Sequence, residues 1–345
     1  MVGNGCNCKN QGLSMVGDLG DICSKYIYVA NNNSNSIAVV DSDAQKVVKD
    51  IGLRYRPIAL AVNPIVNAVY VVNQEGNSIT VIDSTINEIV GSIKLGIVPN
   101  SITVDIVRNI VYVVNYGSHT VSLIDGYTNR IIAVLGTGAR PDKIAINPLI
   151  DRVYISNLGD STITVIDTRN KSVVTRIELP DIPRKIAVDC VNNLLYVIGR
   201  DSGLTILIDC NTNSILPFVW RLNAPMGMAV NQNTGRVYIS DLTYWLRTKP
   251  SSVEVIDGNG LRESLNPWHW WHNSRSIYLE HGRNEEGYLL YASYELSIDA
   301  RKNLIYVTVP ADDKIFVIDG ETEQVIGSIE GLHGPVAIAQ CILGS

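Results

Sequence analysis

The sequence predicts an all-β protein, a seven-bladed β-propeller of four-stranded antiparallel blades whose first blade is completed by the C-terminal strand. Three observations lead there. Tyrosines recur at a fixed interval of 42 residues, at Tyr28, Tyr70, Tyr112, Tyr154, Tyr196 and Tyr238, with a seventh at Tyr306. Aspartates keep step with them at Asp41, Asp83, Asp125, Asp167, Asp209, Asp257 and Asp319. Between these markers lie short runs rich in Val, Ile, Tyr and Thr, punctuated by Asn, Gly and Pro, which read as strands of a meander. Four-stranded units of about 40 residues, repeated four to eight times, close into a propeller.

The unit around Tyr70 shows each element in order. Its inner strand reads from Arg56-Pro57-Ile58 to Asn63. Proline opens this strand in six units, at Pro57, Pro99, Pro141, Pro183, Pro225 and Pro335, where a missing N–H costs no ladder bond. The second strand, from Ala68 to Asn73, carries the tyrosine, whose ring packs between blades and whose hydroxyl needs a partner. The third strand, from Ser78, ends at Asp83, placed to accept backbone N–H groups of the following turn. An outer strand from Glu88 to Leu95 completes the unit. No 3.6-residue periodicity competes for these windows. The unit around Tyr28 lacks its inner strand, and Gly334-Pro335-Val336 to Cys341 aligns with Arg56–Asn63 as the missing piece.

A chain of 345 residues suggests two domains on length alone, but the repeat overrides that expectation. The division expected is a polar N-terminal tail over 1–20 and one propeller over 21–345. A net charge of −6 argues against nucleic acid or anionic lipid as partner, since both demand a cationic surface. Apolar residues at 46% and charged residues at 18% argue against wholesale disorder. No apolar run reaches the roughly 18 residues of a membrane helix. The opening residues show no basic stretch followed by an apolar core, so no secretion signal is expected in the sequence as it stands.

Tyr28-Val-Ala-Asn31, Tyr70-Val-Val-Asn73, Tyr112-Val-Val-Asn115 and Tyr154-Ile-Ser-Asn157 resemble the Tyr-Val-Thr-Asn repeat of the YVTN-type seven-bladed propellers. The likeness runs from about Tyr26 to Cys341. It weakens late, where Tyr196-Val-Ile-Gly199, Tyr238-Ile-Ser-Asp241 and Tyr306-Val-Thr-Val309 lose the asparagine. The resemblance implies the propeller fold and an extracytoplasmic or cell-surface setting, with a cytoplasmic one as the alternative. It implies no single activity.

Residues repeated in every blade serve the blade, so function is expected where the repeats differ. The residue after each inner-strand proline is Ile58, Asn100, Asp142, Arg184, Met226 and Val336, with Tyr294 at the equivalent place by alignment. Lys143, Lys185, Arg54, Tyr55 and His333 lie nearby, and Arg56, Arg140, Tyr116 and His119 fall in loops of the same face. Cations gathered at a channel mouth would suit a small anionic or sugar-like ligand. A charge-paired rim holding water is the competing reading.

The largest departure lies in the sixth unit. Its second-to-third-strand loop carries Trp245, and an aromatic-rich insertion at about 258–293 holds Trp268, Trp270 and Trp271. Loop tryptophans at this density are candidate contacts for a glycan, a planar ligand or a protein, or else a satellite core folded over their own blade. His269, His272 and His281 in the insertion raise zinc or copper as a cofactor, though their spacing matches no known signature. No other cofactor is expected, and no catalytic constellation is visible. The leading expectation is therefore a non-catalytic recognition or scaffold module. It binds a protein, glycan or small anionic ligand, as a monomer or as a self-assembling surface component. The rival is an enzyme with its site at the channel mouth: a hydrolase, lyase or metal-assisted oxidoreductase.

Alignment sets Cys23 and Cys341 within one turn of the first blade, near the 4.4–6.8 Å between Cα atoms that a disulfide needs. A bridge there would staple the only seam in the ring; two reduced thiols are the alternative. Cys190 and Cys210 end strands separated by a third and are expected about 10 Å apart, too far to join. Cys6 and Cys8 lie in the tail.

Overall fold

A computed structural model describes residues 25–222, 225–241, 252–258, 275–279 and 295–340. Seven four-stranded antiparallel sheets are arranged as blades. Blades 2 to 7 are built from consecutive strands, and blade 1 orders Pro335–Gln340, Tyr26–Asn31, Ser36–Asp41 and Lys46–Gly52 from inside outward. The C-terminal strand thus does supply the missing inner strand, with Tyr28 opposite Ala339 and Val29 opposite Ile338. The one helical turn among the described residues is Pro310–Asp312.

The core is divided among the seams between blades. Seven apolar clusters each join two neighbouring blades, including one that unites blade 7 with blade 1 through Tyr306, Ile315 and Val317 against Ile27, Val29 and Ile338. The seven repeat tyrosines are all at most 2% exposed. Tyr28, Tyr70 and Tyr154 use their hydroxyl to reach the next blade. Tyr28 Oη donates to Asn87 Oδ1 at 2.7 Å, Tyr70 Oη to Asn129 Oδ1 at 2.8 Å, and Tyr154 Oη to the Cys210 carbonyl at 3.4 Å.

The third-strand aspartates behave as turn acceptors. Asp125 Oδ1 takes the backbone N–H of Thr128 at 2.8 Å and of Tyr127 at 3.1 Å, and Asp319 serves Thr322 and Glu321 in the same way. These bonds hold both carboxyls below their usual range, Thr128 and Thr322 contributing most. The repeat asparagines tie the opposite hairpin. Asn115 Nδ2 donates to Thr120 and Ser122, and Asn157 Nδ2 to Thr162 and Thr164. Of the 18 described non-glycine residues with positive φ, nine are asparagine. That explains the asparagine-rich turns, since this residue tolerates the left-handed conformation better than most.

Cys190 is disulfide-bonded while Cys210 keeps its thiol, so these two are not joined to each other. Cys6, Cys8, Cys23 and Cys341 lie outside the described residues, as do residues 1–20 and most of 258–293.

Candidate ligand site at the channel mouth

The mouth is built by a defect repeated at the start of every described inner strand that opens with proline. After Pro57, Pro99, Pro141, Pro183 and Pro225 the pairing register slips, and beside Pro335 it slips again at Ala30 and Asn31. A bulge leaves its extra residue outside the ladder and re-aims that side chain. The released residues are Ile58, Asn100, Asp142, Arg184, Met226 and Val336, and all six line one cavity of about 370 Å³. Its other walls are Asn32, Gln74, Lys143, Lys185 and Glu295. In blade 4 the slip spans two residues, so both Asp142 and Lys143 leave the ladder.

Backbone N–H groups at the starts of three inner strands find side-chain hydroxyls. Lys143 N donates to Ser156 Oγ at 2.9 Å, Gly227 N to Ser240 Oγ at 2.8 Å, and Glu295 N to Thr308 Oγ1 at 2.9 Å. All three acceptors occupy the third place of the four-residue tyrosine motif. That place is therefore structural, and it holds the mouth in shape.

The charges are unevenly matched. Lys143 Nζ lies 3.2 Å from Asp142 Oδ1, and Asp142 also accepts from Asn100 Nδ2. Lys185 is ion-paired with Glu295, linking blade 5 to blade 7. Gly227, the residue at the same place in blade 6, puts no side chain between them. Arg184 donates from Nη2 to the Met226 sulfur at 2.7 Å, a weak acceptor for a guanidinium. Among the described residues Arg184 makes no ion pair, and the lining carries three cations against two carboxylates.

Burial sets the protonation of this wall. It lowers the Lys143 ammonium to about 8, with the charge of Lys185 adding to the effect and Asp142 opposing it. Burial pushes Glu295 up, but Lys185 and Lys143 together hold it below the usual carboxylate range. Burial and then Arg200 also lower Arg184. Lys143 and Lys185 are thus compensated by Asp142 and Glu295, and Arg184 is the wall's cation without an ion pair among the described residues.

Several solved structures share the architecture. A functionally unknown protein from Desulfotomaculum acetoxidans DSM 771 is similar with a TM-score of 0.76 at 15% identity, over 93% of this chain and 100% of that one. Kuenenia stuttgartiensis hydrazine synthase gives 0.69 at 16% identity, over 83% and 89%. Dihydro-heme d1 dehydrogenase NirN in complex with DHE gives 0.64 at 15% identity, over 91% of this chain but 65% of that one. At these identities the likeness shows the seven-bladed propeller and nothing finer. Neither a family model nor a curated protein matches the chain. The resemblance to the YVTN propellers accordingly rests on the repeat motif.

Of the sequence candidates, Arg184 is at the cavity wall. Arg56, Arg140, Tyr116 and His119 are not among its lining residues; Arg56, Arg140 and His119 are exposed on the loops around it. His119 has a local task, its Nδ1 accepting the Arg140 backbone N–H at 2.8 Å. Trp245, Trp268, Trp270, Trp271, His269, His272 and His281 lie outside the described residues, and so does Tyr294. Among the described residues no cluster of three or more metal-ligating side chains occurs, and no helix is long and apolar enough to cross a membrane. Glu295 escaped the sequence reading because no proline marks the seventh inner strand.

Proposed function

We propose that this protein is a recognition propeller that binds a small anionic ligand at its upper channel mouth, with Arg184 as the principal contact. The observation that carries this reading is a half-buried guanidinium facing a polar cavity with, among the described residues, only a thioether as its side-chain acceptor. Lys143 and Lys185 support it by adding positive potential, and Asn100 and Gln74 offer neutral hydrogen bonds for orientation. Tryptophans of the sixth-blade insertion remain part of the proposal on sequence grounds alone, as a second surface for a glycan or protein. Membership among the YVTN propellers and an extracytoplasmic or cell-surface setting are inferred from the motif likeness.

An enzyme working at the same opening is the second reading. It is favoured by the Lys143 amine, and two of the similar structures are named as enzymes. Titration calorimetry with a panel of small carboxylates, phosphates and neutral sugars tests the first reading. At least one anion should bind, and Arg184→Gln should weaken it by about tenfold or more, the scale of one charge-assisted hydrogen bond. Binding confined to neutral sugars, or unaltered by Arg184→Gln, overturns it.

A further inference from the structure

Blade 5 brings a second guanidinium to the one that lines the cavity. Pro183 pairs with Gly199, and the Arg200 N–H donates to the Ile182 carbonyl at 2.7 Å. Arg184 and Arg200 therefore stand diagonally across one hairpin, where neighbours are about 7–8 Å apart and two arginine side chains can converge. Arg200 is the charge that acts on Arg184, and it opposes the Arg184 cation. Local acids do little to offset the pair. Asp181, in the loop leading into the same inner strand, accepts the Ile182 N–H with one oxygen and the Ser202 N–H and hydroxyl with the other. Asp201 meets Arg200 at 3.7 Å with both side chains more than half exposed, a pairing worth little in water. We infer that the anion taken at the mouth is a small phosphomonoester whose phosphoryl group sits between Arg184 and Arg200.

This inference rests on the anion-binding reading and adds a second contact and a ligand class to it. A phosphomonoester carries about −1.5 to −2 charge at pH 7 and three strong acceptor oxygens, which matches two guanidiniums. A carboxylate carries one charge and is filled by a single arginine fork. Like charges held close on one hairpin repel, so a doubly charged group gains from relieving that repulsion as well as from its hydrogen bonds. The turn that carries Arg200 is also where the repeat breaks. Blade 5 has Gly199 where blades 1 to 4 have the motif asparagine, and a Cβ at that position would strike the Asp181 carboxylate. The rest of the cavity suits the organic part of a monoester. Its volume of about 370 Å³ leaves room for one, Ile58, Met226 and Val336 are apolar, and Gln74 and Asn100 offer hydrogen bonds.

Three probes decide the matter in titration calorimetry on the full-length protein. They are phenyl phosphate, benzoate and methyl phenyl phosphate, the last keeping the phosphoryl group but only one charge. Phenyl phosphate should bind at least about tenfold more tightly than either singly charged probe, the scale of one added charge-assisted hydrogen bond. Arg200→Gln, at an exposed position, should remove that advantage and leave benzoate binding as it was, which also reports that the variant is folded. Arg184→Gln should weaken all three. Equal affinity for the three probes, a phenyl phosphate advantage that survives Arg200→Gln, or a loss in that variant shared equally by all three overturns the phosphomonoester while the anion site stands. Failure of all three to bind overturns it too, and the wider anion panel then decides the parent reading.

Discussion

Ile338 offers the sharpest test of ring closure. It is fully buried near the C-terminus, opposite Val29 and inside the cluster that joins blades 7 and 1. Leu60 holds the equivalent place in blade 2, equally buried but in the middle of a continuous unit. Truncating either to alanine removes three carbon groups, about 2.4 kcal/mol of transfer free energy at about 0.8 each. The residual cavity brings the total to about 3–4 kcal/mol. If the C-terminal strand is as firmly held as an internal one, Ile338→Ala and Leu60→Ala cost the same. A chain of this length has an unfolding entropy of about 0.7 kcal/mol/K, so each should lower Tm by roughly 5 °C. Urea unfolding followed by fluorescence and circular dichroism, with parallel calorimetry, measures both. A terminal strand that frays, as chain ends commonly do, would give Ile338→Ala a cost below about 0.5 kcal/mol while Leu60→Ala kept its full effect. That outcome refutes closure by the C-terminal strand. Removing 335–345 altogether is the severe version, and it should abolish the single cooperative transition.

Two further outcomes follow from buried polar groups. Tyr28→Phe strands the Asn87 acceptor and should cost about 1 kcal/mol, whereas Tyr112→Phe should cost nothing, because the buried Tyr112 hydroxyl has no partner among the described residues; denaturant midpoints of the two variants compare them directly. Lys143 also gives stability a defined pH response. Its folded value lies below its unfolded one, so both states carry the proton below about pH 8 and the burial penalty is then complete. As pH rises from about 8 toward 10.5, the folded state loses its proton first and the penalty is relieved. Wild type should therefore gain on Lys143→Met by a few kcal/mol across that window, and a flat difference in urea midpoints would contradict the assignment. The raised tyrosines affect both proteins alike and cancel.

The scaffold was legible because every blade repeats the same solution. Pro57 and its equivalents open inner strands, the tyrosine rings fill the seams, and Asp41, Asp83, Asp125, Asp167, Asp209 and Asp319 accept turn N–H groups, as their residue types suggest. The site was legible only in part. Counting one residue past each proline found Ile58, Asn100, Asp142, Arg184, Met226 and Val336, yet for a reason the sequence does not display, namely a register slip that frees that residue from pairing. Glu295 was hidden by the loss of proline in its blade, and its bond to Lys185 passes over a blade whose contribution is a glycine. Arg140 and His119 looked like ligand contacts because they are cationic or titratable near the opening. In the structure the His119 ring accepts the Arg140 backbone N–H, a local hydrogen bond that composition does not display, and neither residue lines the cavity. The hydroxyl at the third motif position was visible in Ser156, Ser240 and Thr308, but only the freed N–H groups of the inner strands explain it.

Ile58 and Val336 pack against the seams, but the slipped polar residues Asn100, Asp142 and Arg184 belong to no apolar cluster and to no strand pairing among the described residues. Exchange at those three positions disturbs the frame least, so descent from a common ancestor can wander through many mouth chemistries. Each generation changes one wall at a time while the molecule stays whole. Divergent appetites on an unchanging frame are the expected evolutionary outcome, and a designer could follow the same route.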